Sequence, residues 1–70
     1  MNKEQLKKAI TEYLVQNFLV SFADSVKVSI DNIVGDVVYS TCESGGIEFE
    51  YQFLLNEDRN EIIDYCLIDE

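Results

Sequence analysis

From Gly46 to Leu55, the residues Ile47, Phe49, Tyr51, Phe53 and Leu55 alternate with Glu48, Glu50, Gln52 and Leu54. Period-two alternation sends successive side chains to opposite faces of a β-strand. Large apolar groups therefore share one face, and two carboxylates and an amide share the other. The rest of the chain must cover the apolar face.

Upstream, the period is helical. Asn2, with Gln5 three residues later, forms a variant of the capping box, and a helix is predicted from about Lys3 to Phe22. Leu6, Ile10, Tyr13, Asn17 and Val20, flanked by Ala9 and Leu14, fall on the side that faces the sheet. Asn17 on that side is expected to be hydrogen-bonded in the core. Val15, Leu19 and Phe22 form a second stripe nearly opposite. That stripe needs its own cover, either from the sheet curling around the helix or from another molecule.

Downstream, Val26, Val28 and Ile30 alternate with Lys27, Ser29 and Asp31 and predict a first strand extending toward Ile33. A turn follows near Val34, Gly35 and Asp36. The second strand, about Val37 to Glu43, can face either way, and the reading taken here turns Val37 and Tyr39 inward. Ser44, Gly45 and Gly46 turn into the alternating strand, and Asn56 to Asn60 reads as a hairpin loop. The stretch from Glu61 to Asp69 fits a short helix or a strand; its length and the preceding loop favour the strand. The predicted fold is α+β, one N-terminal helix packed on a four-stranded antiparallel meander in the order αββββ.

Composition narrows this to one small acidic domain. Seventy residues, 47% hydrophobic with four Tyr and four Phe, can build a core, although a small one. No Pro and only three Gly are present, so no linker or second domain can be placed. Fourteen acids against five bases give a formal charge of −9. The imbalance begins after Lys27: from residue 28 onward Arg59 is the only base. Such a surface repels phosphate backbones and anionic membranes, and its complement is a basic protein surface.

The acidic residues named as contacts for such a partner are Glu43, Glu48, Glu50, Glu57, Asp58, Glu61 and Asp64. Glu48 and Glu50 must face away from the helix if Ile47, Phe49 and Tyr51 face it. Asp64 joins them, making the outer face a carboxylate-rich plate, with Glu57, Asp58 and Glu61 around one loop. Such a face can be simply solvated. It can also act as a decoy that occupies a groove built for nucleic acid. The expected function is thus an inhibitor or adaptor that docks on a basic, nucleic-acid-binding protein. The alternative is a hydrophobic homodimer that uses Val15, Leu19 and Phe22 or an open strand edge.

Catalytic patterns are missing. Without His there is no Ser-His or Cys-His pair and no common zinc ligand. Asn56, Glu57, Asp58, Asn60 and Glu61 offer oxygens at irregular spacing, without the Gly of an EF-hand loop. An enzyme, a metal or a cofactor is not expected. The Lys-rich N-terminus lacks the uninterrupted apolar run of a secretory signal, so the cytoplasm is the expected address. Cys42 and Cys66 are then expected as free thiols. Size, acidity and the helix-plus-meander layout are similar to those of small phage and mobile-element proteins that inhibit host nucleases or CRISPR effectors, a likeness of bulk properties without a shared motif. The layout also resembles the cystatin-like helix across a sheet, in architecture alone.

Overall fold

A computed structural model describes residues 2–68. Helix α1 (Lys3–Gln16) is followed by a short 3-10 turn (Ala23–Ser25) and by strands β1 (Val26–Val34), β2 (Val37–Ser44), β3 (Ile47–Leu55) and β4 (Ile62–Leu67). The strands form one antiparallel sheet in the order β1-β2-β3-β4, so the fold is the α+β arrangement that the pattern predicts. The expected end of the last strand, Asp69, lies outside the described residues. Among the described residues no helix is long and apolar enough to cross a membrane.

The helix starts where the capping box puts it. Asn2 Oδ1 accepts from the Gln5 backbone N–H at 2.8 Å, and Gln5 Oε1 accepts from the Asn2 N–H at 3.0 Å. It ends six residues earlier than Phe22, at Gln16, which corrects the expected length. The Leu19 N–H donates to the Leu14 carbonyl and the Phe18 N–H to the Val15 carbonyl. That bond pair, with Phe18 at φ 60°, is a Schellman cap with phenylalanine where glycine is usual. Asn17 is exposed at the cap and donates its side-chain N–H to the Tyr13 carbonyl rather than bonding in the core.

Leu6, Ile10 and Leu14 of α1 pack on Val38, Cys42, Tyr51, Phe53, Leu55 and Ile62 of the sheet. The second strand therefore faces opposite to expectation: Val38, Ser40 and Cys42 point inward, and Val37 and Tyr39 outward. The two-residue loop Gly45–Gly46 dictates this. Both glycines have positive φ, the conformation that closes a tight hairpin, and Ser44 is left directly opposite Ile47. Residues opposite each other share a face, so inward Ile47 makes Ser44, Cys42, Ser40 and Val38 inward too. Buried Ser40 satisfies its hydroxyl by donating to the Ser29 carbonyl at 2.8 Å.

Candidate functional site

The register sorts the outer sheet face into cross-strand rows. At the β2–β3 hairpin, Lys27, Glu43 and Glu48 lie side by side, and the next row holds Ser29, Thr41 and Glu50. Toward the other end come Asn32, Tyr39, Gln52 and Cys66, and then Val34, Val37, Leu54 and Asp64. Glu48 and Glu50 thus face away from the helix as their alternation requires. The face as a whole is not a uniform plate of carboxylates: one end is acidic and the other apolar.

The predicted contact residues consequently form two groups. Glu43, Glu48 and Glu50 sit by the β2–β3 hairpin. Glu57, Asp58 and Glu61 sit in the loop between β3 and β4 at the opposite end, with Asp64 nearest them. Seven strand steps from Glu48 to Leu55, at about 3.4 Å each, put roughly 24 Å between the groups. Glu43 and Glu48 are direct cross-strand neighbours, an arrangement in which like charges oppose folding. Among the described residues the one ion pair joins Arg59 Nε to Asp36 Oδ1 at 2.8 Å, so none of Glu43, Glu48 and Glu50 has an ion-pair partner there. That bridge ties the β3–β4 loop to the β1–β2 turn and takes up the only base beyond Lys27.

Val15, Leu19 and Phe22 do not form a helical stripe, because the helix stops at Gln16. Val15 and Leu19 are half-buried, Leu19 against the core, and only Phe22 is exposed. Both strand edges are also blunted. On β1 the register shifts between Ile30 and Asn32, and the Asn32 side chain accepts the Ile33 N–H at 2.9 Å. On β4 it shifts opposite Leu54 and Leu55, and the Asp64 side chain accepts the Tyr65 N–H at 2.8 Å. A bulge and a self-satisfied N–H on each edge discourage an incoming strand.

The sequence reading misses a second feature, an open end of the inner face. Along β3, Leu55, Phe53 and Tyr51 are buried, but Phe49 is 41% and Ile47 58% exposed. On β4, Leu67 is 48% exposed. Helix direction explains the gradient: Gln16, at the C-terminal end of α1, lies beside Asn60, Glu61 and Ile62 at the covered end of β4, so the helix crosses the strands and does not run along β3 toward Ile47. The helix also runs obliquely, with Lys3 near Ile30–Ile33 of β1 and the Tyr13 ring 5.7 Å from that of Tyr65 on β4.

Among the described residues, burial shifts the titration of three groups. Burial pushes the Cys42 thiol up, against a smaller opposing effect of the Ser40 hydroxyl. Burial likewise raises Tyr51, and it raises Tyr13 with help from the Asp64 carboxylate. All three stay protonated at neutral pH. Cys42 and Cys66 are free, on opposite faces of the sheet. Among the described residues no three His, Cys, Asp or Glu side chains converge on a metal position. The outer-face depression lined by Val37, Leu54, Asp64 and Cys66 holds about 200 Å³, below the roughly 300 Å³ at which small-molecule sites usually begin. No family model matches the chain, and neither a curated protein nor a solved structure is significantly similar to it.

Proposed function

We propose that the chain is a protein-binding module that presents Glu43, Glu48 and Glu50, on the acidic half of its outer sheet face, to a basic surface of a partner protein. The observation that carries this reading is the Glu43–Glu48 pair, directly opposed across two central strands, with Glu50 two residues further along. Lys27 stands opposite Glu43 in the same row without an ion pair among the described residues, so one ammonium faces three carboxylates and part of their repulsion persists while the chain is isolated. A lysine- or arginine-rich surface would remove that repulsion and release counterions on docking.

In its finer form the module is an inhibitor or adaptor that occupies a nucleic-acid-binding groove, holding carboxylates at fixed spacing where phosphates would lie. Glu57, Asp58, Glu61 and Asp64 extend the contact only for a partner broad enough to span both ends of the sheet. Dimerisation through a strand edge is opposed by the bulges and satisfied N–H groups of β1 and β4.

Capture of proteins from a lysate by the immobilised chain, at low and high salt, tests the reading. Proteins with basic surfaces should be retained at low salt, be released at high salt, and be lost to a folded E43K/E48K/E50K variant. Retention that is indifferent to salt, or unchanged in the triple variant, would refute it.

A further inference from the structure

The inner face of the sheet is covered by more than the helix. Helix α1 lies over the row Ile33, Val38, Phe53 and Tyr65: Leu6 borders Ile33, and the Tyr13 ring meets those of Phe53 and Tyr65. Four residues along β2 and β3, toward their hairpin, a second row holds Val28, Cys42 and Phe49. At about 3.4 Å per residue the two rows are roughly 14 Å apart, more than twice the half-width of about 5–6 Å that a helix covers with its side chains. Phe49 is accordingly 41% exposed, yet Cys42 beside it is only 3% exposed. Another part of the chain covers Cys42.

Topology identifies that part. Gln16 lies beside Asn60, Glu61 and Ile62, next to β4, and β1 begins on the other edge of the sheet at Val26, opposite Ser44 at the hairpin end. Residues 17–25 therefore cross from one edge to the other on the hairpin side of the helix, and Leu19 and Val20 pack against the core on the way.

This crossing is held weakly. Its N–H groups at Asn17, Phe18, Leu19 and Val20 donate to carbonyls of the last helical turn, and at its far end the Ser25 N–H and hydroxyl donate to the Phe22 carbonyl at 3.1 and 2.6 Å. Among the described residues no hydrogen bond joins 17–25 to a strand. Leu19 and Val20 are half-buried, whereas Phe18 is 94% and Phe22 73% exposed and Ser21 and Asp24 are exposed as well. Phe18, at φ 60°, holds a left-handed conformation that a bulky residue rarely adopts. The neighbouring elements are tied down far better: Leu6, Ile10 and Leu14 are buried, and β2 is paired on both sides along its whole length.

We infer that residues 17–25 form a strap that lifts off Cys42 as a unit, hinged at Phe18 and at the Phe22–Ser25 turn, while the helix and the sheet stay folded. Lifting breaks the bonds of Leu19 and Val20 to the Leu14 carbonyl and withdraws two half-buried side chains. In return it lets Phe18 leave its unfavourable φ. Few buried contacts and no tie to a strand are what set a segment at the low end of local stability. The open form bares inner-face surface between Phe53 and Phe49, so the strap is a gate over the buried thiol.

Alkylation of Cys42 by iodoacetamide at pH 8 in a C66S chain, followed by mass spectrometry as urea is raised, tests this. Strap opening exposes little surface, so the rate below the unfolding transition should hardly change with urea, and should exceed the rate that global unfolding allows by at least about tenfold. F18G should slow it about fivefold, because the closed strap then carries no left-handed Phe. L19A/V20A should speed it at least about tenfold, with the circular dichroism of the sheet retained. A rate that climbs from the first addition of urea, with the slope of equilibrium unfolding, would mean that Cys42 is reached only when the whole domain unfolds, and would overturn the inference. A urea-independent rate left unchanged by either variant would also overturn it, since the cover would then lie elsewhere. Should L19A/V20A fail to fold, the urea profile and F18G decide.

Discussion

The two ends of the inner face of β3 have the same chemistry and opposite fates. Phe53 and Phe49 are both phenylalanines on β3, four residues apart and pointing the same way, yet Phe53 is fully buried and Phe49 is 41% exposed. Helix α1 crosses the strands at the first, where Tyr13 meets Phe53, and leaves the second uncovered. Alternating polarity shows that a strand face is apolar, and the reach of the covering element decides how much of it becomes core.

The sharpest way to break that comparison is to truncate each ring in turn. F53A removes a fully buried ring packed against Tyr13 and Tyr51 and should cost about 3–5 kcal/mol. A domain of this size has about 3.5–10 kcal/mol in all, so F53A should be largely unfolded or melt far lower by circular dichroism. F49A should lose only about 1–2 kcal/mol, in proportion to the smaller area it keeps from water. Equal losses in urea titrations would mean that the β2–β3 end is covered in solution, and the contrast between the ends would fail.

Much of this could be read from the residues. The Asn2–Gln5 capping box, the inward set on β3 and the outward facing of Glu48 and Glu50 follow from local spacing alone. The inward facing of Ser40 and Cys42 was also readable, since a two-residue loop at Gly45–Gly46 forces Ser44 to share a face with Ile47. Hydrophobicity pulled the reading toward Val37 and Tyr39, whereas the structure accepts a buried Ser40 because its hydroxyl has the Ser29 carbonyl. The end of the helix was not readable, because its cap residue is Phe18 where glycine would signal a stop. The uncovered end of β3 was hidden as well, because local spacing does not state the direction in which the helix crosses the sheet. The bulges at Asp31 and Ile63 leave no periodic mark. The bulge at Asp31 reverses strand parity so that outward Val34 and inward Ile30 can belong to one strand.

A smaller effect, of opposite sign, is expected at the cap itself. F18G should stabilise the fold by about 1 kcal/mol, since glycine adopts positive φ freely and the Phe18 ring buries almost nothing within the chain. A higher urea midpoint at unchanged slope would confirm it. A destabilised F18G would show that the ring packs within the chain.

The smallest effect at neutral pH sits where covered sheet gives way to open sheet. Cys42 lies directly opposite Phe49 on β2, and burial raises its thiol above the ordinary value. A raised thiol means that the folded state holds its proton when the unfolded state has released it. Below about pH 8.5 both states are protonated and the thiol makes no difference to stability. Above that value the unfolded chain is favoured, and stability should decline with rising pH until the folded thiol ionises as well; Tyr13 and Tyr51, also raised by burial, extend the decline to higher pH. C42A should flatten the first part of this slope while leaving neutral stability altered only by the packing change. Exposed Cys66 on the outer face should react readily with a thiol reagent at pH 8, and Cys42 only as fast as the domain opens. If both react at the same rate, the cover over β2 stops short of Cys42, which then belongs to the open end together with Phe49.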